Sequence, residues 1–304
     1  MQFIRSASLG LLLLLFACPA LAGEWLDQSV PAKVGVGKPF VVRVVSRFPA
    51  DDMSVEWMGR TVHVKPVRVG DAFEAEFLLG TGVRRKLGAY PLALNVHLWA
   101  CSYRFDHSVE VVESAWDHET LTVAPKMVRP PKKSLDRIQK ERKLVHAVLS
   151  TVSPVRYWSL PFTRPVKGKM LSRFGLYRVF NGNVKSRHTG QDFRAYAGTP
   201  IRAMAPGTVI FTHSLYFAGN AVYIDHGQGL ISMSCHLSKQ MVKEGDHVEA
   251  GQVIGLSGAT GRVTGAHLHL SVYILGEVVD PLPFFDGTLD NEFNENALIS
   301  SGNK

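Results

Sequence analysis

The 304-residue chain is 46% hydrophobic and 20% charged, a globular composition long enough for two cores, and this excludes a disordered polymer. Three cysteines are too few for a disulfide framework. A formal net charge of +8 favours anionic partners such as nucleic acid, acidic lipid or an anionic wall polymer.

The chain opens with MQFIRSASLGLLLLLFACPALAGEW, in which Arg5 precedes an apolar run from Leu9 to Ala17 and then Ala20-Leu21-Ala22. That order predicts a secretory signal over residues 1–22, cleaved near Ala22. Leu15-Phe16-Ala17-Cys18 has the outline of a lipoprotein box, which makes a lipid anchor at Cys18 the alternative, although Phe16 fits poorly. A secreted chain argues against nucleic acid as the partner. No later run reaches 18 consecutive apolar residues, so no transmembrane segment is expected. Cys101 and Cys235 remain after cleavage, and nothing in the sequence indicates a bond between them.

From residue 23 to about 125, short β-branched and alternating runs (PFVVRVVSRF, DAFEAEFLLG, YPLALNVHLWA) recur every 8–12 residues or so, which predicts an immunoglobulin-like β-sandwich. Residues 118–133 read as a last extended segment and a Pro- and Lys-rich break, opening a linker over 126–159. Within it, 134–150 is an amphipathic helix with Ser134 as its cap and Leu135, Ile138, Val145, Val148 and Leu149 on one face, expected to dock between the two domains. Residues 160–286 return to Gly-punctuated strands, and 287–304 read as a polar tail. The fold class is therefore all-β with one linker helix.

Two patterns in the second domain carry chemistry. His188-x-x-x-Asp192 and His267-x-His269 each bring their members to one face of a strand, because side chains two and four apart point the same way. Gly190, Gly198 and Pro200 disfavour a helix around the first pair. Together they offer four ligands for zinc, whereas a catalytic zinc site keeps three and an open position. Spacing does not decide which histidine stands back. No His-Glu-x-x-His and no Gly-x-Ser-x-Gly occurs, so a glutamate-assisted zinc protease and a serine hydrolase of those types are disfavoured.

Residues 160–285 resemble the M23 (lysostaphin-type) zinc peptidases. His188-Thr189-Gly190-Gln191-Asp192 matches that family's first motif, His236-Leu237 its middle histidine, and His267-Leu268-His269 its last. The resemblance implies that His188, Asp192 and His269 bind one Zn2+ and that His236 and His267 are catalytic. It implies an antiparallel β-domain crossed by a groove, and peptidoglycan cross-links as substrate. The front half is similar to the domain that precedes M23 domains in secreted Gram-negative proteins, so a periplasmic location is expected and D-alanyl–diaminopimelate the expected bond. The alternative is a weakly catalytic regulator of another wall hydrolase. A regulatory protein partner, and restraint of the groove by the N-terminal domain, are further expectations. Asn181 and Arg187 flank the groove segment as substrate contacts. Gly190, Gly258, Gly261 and Gly265 are read as tight-turn positions, and His226 as a turn residue satisfying backbone groups. His213 and His247 are expected at the surface, and His63, His97, His107, His118 and His146 receive no role.

Overall fold

The computed structural model describes residues 25–99, 101–121, 130–180, 182 and 184–289. The expected signal segment (residues 1–22), Cys18, Asn181 and residues 290–304 of the expected tail lie outside the described residues. No helix among those described is long and apolar enough to cross a membrane.

The first unit comprises β1 (Leu26–Ser29), β2 (Lys33–Gly35), β3 (Pro39–Ser46), β4 (Asp52–Trp57), β5 (Arg60–Val64), β6 (Val67–Val69), β7 (Ala72–Gly80), β8 (Gly88–Leu98) and β9 (Cys101–Val112). They form a sheet of order β1-β3-β7-β6 and a second of order β2-β9-β8-β4-β5. Period-two burial explains the pairing: Val42 and Val44 of β3, Met53 and Val55 of β4, and Leu92, Leu94 and Val96 of β8 are almost fully buried. The indole of Trp57 donates to the Gly80 carbonyl at 2.8 Å, which ties the two sheets together.

β10 (His118–Leu121), expected to finish the first unit, pairs instead in parallel with β11 (Tyr177–Phe180), which pairs with β12 (Val184–Arg187). The helix α1 (Leu135–Leu149) forms where expected, but Ser134 makes no side-chain capping bond and Leu135 is exposed. Its Val145, Val148 and Leu149 pack on Leu215, Tyr223, Ile231, Met233 and Cys235 of the second unit. The far end of α1 meets the first unit, where Arg60 donates to Ser150 Oγ at 3.4 Å.

The second unit is built on β13 (Gln191–Arg194), β14 (Pro200–Arg202), β15 (Gly207–Leu215), β16 (Gly219–Gly227), β17 (Leu230–Gln240), β18 (His247–Val248), β19 (Val253–Ser257), β20 (His267–Ile274) and β21 (Glu277–Val279), followed by the short α2 (Pro283–Asp286). The main path of the sheet runs β13-β20-β17-β16-β15-β18, with β21 beside β20 and β19 linking β14 to β17. Leu268, Leu270, Val272 and Ile274 of β20 are at most 1% exposed and belong to an apolar cluster that continues into the first unit. Across that boundary the Asp280 amide donates to the Gly37 carbonyl at 2.8 Å, and Lys38 meets Asp280 at 2.7 Å. Leu289, counted with the polar tail on composition, is 3% exposed and joins the same cluster.

His226 is a fully buried strand residue rather than a turn residue; its Nδ1 lies 2.7 Å from the Pro206 carbonyl and its Nε2 2.8 Å from Ser232 Oγ. Burial pushes its pKa down to about 4 against the opposing hydrogen bond to Pro206. The unfolded chain takes up this proton below about pH 6.5, so folding stability from this group is complete above that pH and falls as pH drops toward 4. Between pH 7 and 5 the loss from His226 is expected to be about 2 kcal/mol. Urea unfolding at the two pH values checks this: His226→Gln should lose correspondingly less than the native chain, and an equal loss would refute the assignment.

Candidate metal centre

The register of the sheet assembles the centre. Asp192 stands opposite His269 and Arg194 opposite His267 in the β13–β20 pair, and directly opposed antiparallel residues share a face. The β12–β13 turn brings His188 over this row. Asp192 Oδ1 lies 3.1 Å from His188 Nε2 and 2.8 Å from His269 Nδ1, and the two nitrogens are 3.1 Å apart. Zinc–ligand bonds of about 2.0–2.1 Å in a tetrahedron would set donors about 3.3 Å apart, so this triangle fits one such cation. His188, Asp192 and His269 are the only described group of three or more potential ligands close enough to share an ion.

His267 and His236 adjoin the triangle. His267 Nε2 is 3.6 Å from Asp192 Oδ1, and the His236 ring centre is 5.1 Å from that of His267 and 5.8 Å from that of His269. His236 reaches this face through a bulge. In β17, Cys235 pairs with His269, while Leu237 belongs to the opposite, core-facing side with Leu268 and Leu270. Strict alternation would turn His236 into the core. Instead the β16–β17 register slips between Asn220 and Val222, and His236 takes a left-handed φ of 62°. Two consecutive side chains therefore point to the metal face.

Each imidazole is oriented by an acceptor behind it. His188 Nδ1 lies 2.8 Å from the Arg173 carbonyl, His236 Nδ1 2.9 Å from the Thr260 carbonyl, and His267 Nδ1 2.9 Å from the Gly265 carbonyl. Those carbonyls require N–H at Nδ1, which leaves Nε2 as the lone-pair nitrogen of all three rings. His269 is turned the other way: Nε2 donates to Ser271 Oγ at 3.0 Å, and Ser271 donates onward to the Thr189 carbonyl at 2.7 Å. Its Nδ1 is thereby the free nitrogen, and it faces Asp192. The donor chemistry thus suits a divalent cation: two neutral imidazole nitrogens and one carboxylate, each held by a second layer.

Electrostatics agree. Burial alone would raise the pKa of Asp192, but the adjoining His188 and His269 rings outweigh it and hold the carboxyl far below its ordinary range. Burial, and then the neighbouring His269, push His236 down to about 4, so this ring is neutral at ordinary pH. Burial likewise lowers His269. Cys235 is fully enclosed, and burial raises its thiol well above the usual value, so it is no nucleophile.

Sequence reasoning missed Ser271 and Thr260. Ser271 could have been found, since it continues the period-two face of His267 and His269 by one step. Ser271→Ala is expected to weaken metal affinity about 10- to 100-fold with little change in fold, because His269 loses the partner that selects its tautomer. Competition titration against a chromogenic chelator measures this; unchanged affinity would refute it. Gly190 needs a different explanation from the tight turn expected of it: a Cβ there would lie 2.4 Å from His269 Nε2. Gly258 likewise sits against Ser238, whereas Gly261 does have a positive φ of 78°. His213 and His247 are exposed as expected. Arg187 donates to the Gly175 carbonyl and lies over Tyr177.

Comparison with known proteins locates this chain. The profile described as peptidase family M23 matches residues 186–281, which include all five histidine and aspartate positions. The peptidoglycan DD-endopeptidase ShyA of Vibrio cholerae serotype O1 is 45% identical over 95 residues, 31% of this chain and 22% of that protein. The DD-carboxypeptidase/endopeptidase Mpg of Neisseria meningitidis serogroup B is also 45% identical over 95 residues, with the same coverage. The chain therefore matches about a fifth of the length of these curated relatives. The crystal structure of a candidate peptidase M23 from Pseudomonas aeruginosa is 31% identical, with a TM-score of 0.63, covering 85% of this chain and 96% of that one. A relative matched over nearly its whole length, together with a family profile seated on the strands that build the centre, shows that the chain belongs to peptidase family M23.

Proposed function

We propose that the chain is a secreted, periplasmic zinc endopeptidase that hydrolyses amide bonds in the peptide cross-links of peptidoglycan, with D-alanyl–diaminopimelate as the preferred bond. One observation carries the reading: three ligand atoms share a face with two further imidazoles whose lone-pair nitrogens are free. When bound by His188, Asp192 and His269, zinc supplies Lewis-acid activation of water and of the amide carbonyl. His236 and His267 can each accept a proton at Nε2, since Nδ1 is committed to a backbone carbonyl. The ring that takes the proton released on attack is the one that returns it to the leaving amine. Until it does so, its positive charge would stabilise the charge that develops on the carbonyl oxygen.

The names of ShyA and Mpg supply the substrate class. The expected secretion signal and the net positive charge favour a polyanionic wall polymer outside the cytoplasm. We read the first unit as an immunoglobulin-like sandwich, on the strand order of its two sheets and the buried Trp57 between them. Its continuous core with the second unit, and β10 lying against the hairpin that leads into His188, make it a positional support for the centre.

Purified, zinc-loaded chain incubated with Gram-negative sacculi should convert cross-linked muropeptides to uncross-linked ones, with new termini at the D-alanyl–diaminopimelate bond by mass spectrometry. Persistence of every cross-link at full zinc content would defeat this reading. Stimulation of a partner hydrolase under those conditions would establish the regulator instead.

A further inference from the structure

Charge is not spread evenly around the centre. Between Arg156 and Arg202 the chain holds ten basic residues and one acidic residue, the ligand Asp192. The fold gathers several of them at one edge. Residues 168–172 lie against β13: the Arg194 amide donates to the Lys169 carbonyl at 2.8 Å, the Leu171 amide to the Asp192 carbonyl at 2.9 Å, and Met170 bridges Phe193. This register sets Leu171 opposite Asp192 and Lys169 opposite Arg194, which is itself opposite His267. Since opposed residues share a face, His267 of β20, Arg194 of β13 and Lys169 of the bridged 168–172 segment form a row on the metal side. It lies one step, about 7 Å, from the row His269–Asp192–Leu171.

Lys169 and Arg194 are exposed, and among the described residues neither has an ion-pair partner. Like charges directly opposed across strands destabilise a sheet, so the arrangement costs folding energy that an anion would recover. Lys167 and Arg173, also exposed, line with Lys169 an adjoining groove of about 510 Å³.

We propose that Lys169 and Arg194 form a carboxylate subsite, which takes a free carboxylate of the peptide on the His267 side of the scissile amide. The inference rests on the peptidase reading above and names what that site selects: an acidic peptide whose free carboxylate lies about two extended residues from the bond that is cut. Arg194 supplies a planar fork for two-point recognition, and Lys169 a mobile point charge. A site beside the metal is better placed for a group on the substrate than for a distant polymer or a membrane.

Calorimetric titration of the full zinc-loaded chain carrying His236→Ala, so that the ligand stays intact, tests this. The probes are purified cross-linked muropeptide dimers with diaminopimelate carboxylates either free or amidated. The free form should bind about tenfold tighter, and Lys169→Gln/Arg194→Gln should reduce that preference to about twofold or less. In the otherwise native chain the same pair should raise KM for the free form about tenfold and move kcat far less. Equal affinity for both probes, or a preference that survives the double substitution, would overturn the proposal. So would equal affinity combined with loss of binding to anionic phospholipid vesicles in the variant, which would make the strip a membrane contact. Failure of the functional reading is separate, since it appears as native chain that leaves every cross-link in sacculi intact.

Discussion

Asn in place of Asp192 should leave the purified chain without stoichiometric metal and reduce cross-link hydrolysis by about 1,000-fold or more. Asp192 is the only negative charge in the proposed ligand set, and its Oδ1 lies within 3.1 Å of the facing nitrogens of both His188 and His269. An amide of the same size keeps the β13–β20 backbone pairing, so the fold should survive while the attraction for a dication is lost. Two neutral imidazoles alone leave a weak site. Metal content by mass spectrometry, read beside the circular dichroism melt and the muropeptide profile, separates loss of metal from loss of fold. A variant that retains one zinc per chain with near-native turnover would refute the ligand assignment.

His236→Ala should behave differently: metal is retained, and kcat falls about 100- to 10,000-fold. Its ring lies beside the triangle without a donor atom in it, and burial keeps it neutral, with a pKa of about 4. The backbone adds a second readout. Because His236 holds a left-handed φ of 62°, alanine retains the strain and glycine releases it. His236→Gly should therefore be about 1 kcal/mol more stable than His236→Ala, with both inactive. If the two variants have the same denaturation midpoint, or if either loses zinc, the assignment of His236 as a strained non-ligand fails.

The contrast between these two residues shows where reading a linear chain succeeds. His267 and His269 are legible as one side of a strand from periodicity, and the described register opposes Asp192 to His269. His188, expected to join Asp192 on an extended run, lies instead in the turn between β12 and β13, and that turn brings it to Asp192. By the same rule Cys235, opposite His269, would be chosen for the metal face and His236 rejected. Only the resemblance to M23 peptidases pointed to His236, and its physical cause is a one-residue slip in β17. The positive charges looked dispersed, apart from short clusters at 84–86 and 132–133. Pairing of 168–172 with β13 is what aligns Lys169 and Arg194 beside the centre.

By itself the sequence determined an all-β chain with one long helix, its β-rich stretches, and the residue types able to hold a metal, because hydrophobic period and ligand spacing are local quantities. The four-residue α2 was not among its expectations. Tertiary structure alone decided the partner of β10, the surface that α1 covers, the bulge that delivers His236, and the contact of Ser271 with His269. Each depends on which distant strand lies alongside and in what register. That choice is made by the summed burial of a whole sheet face, so no single stretch of chain contains it.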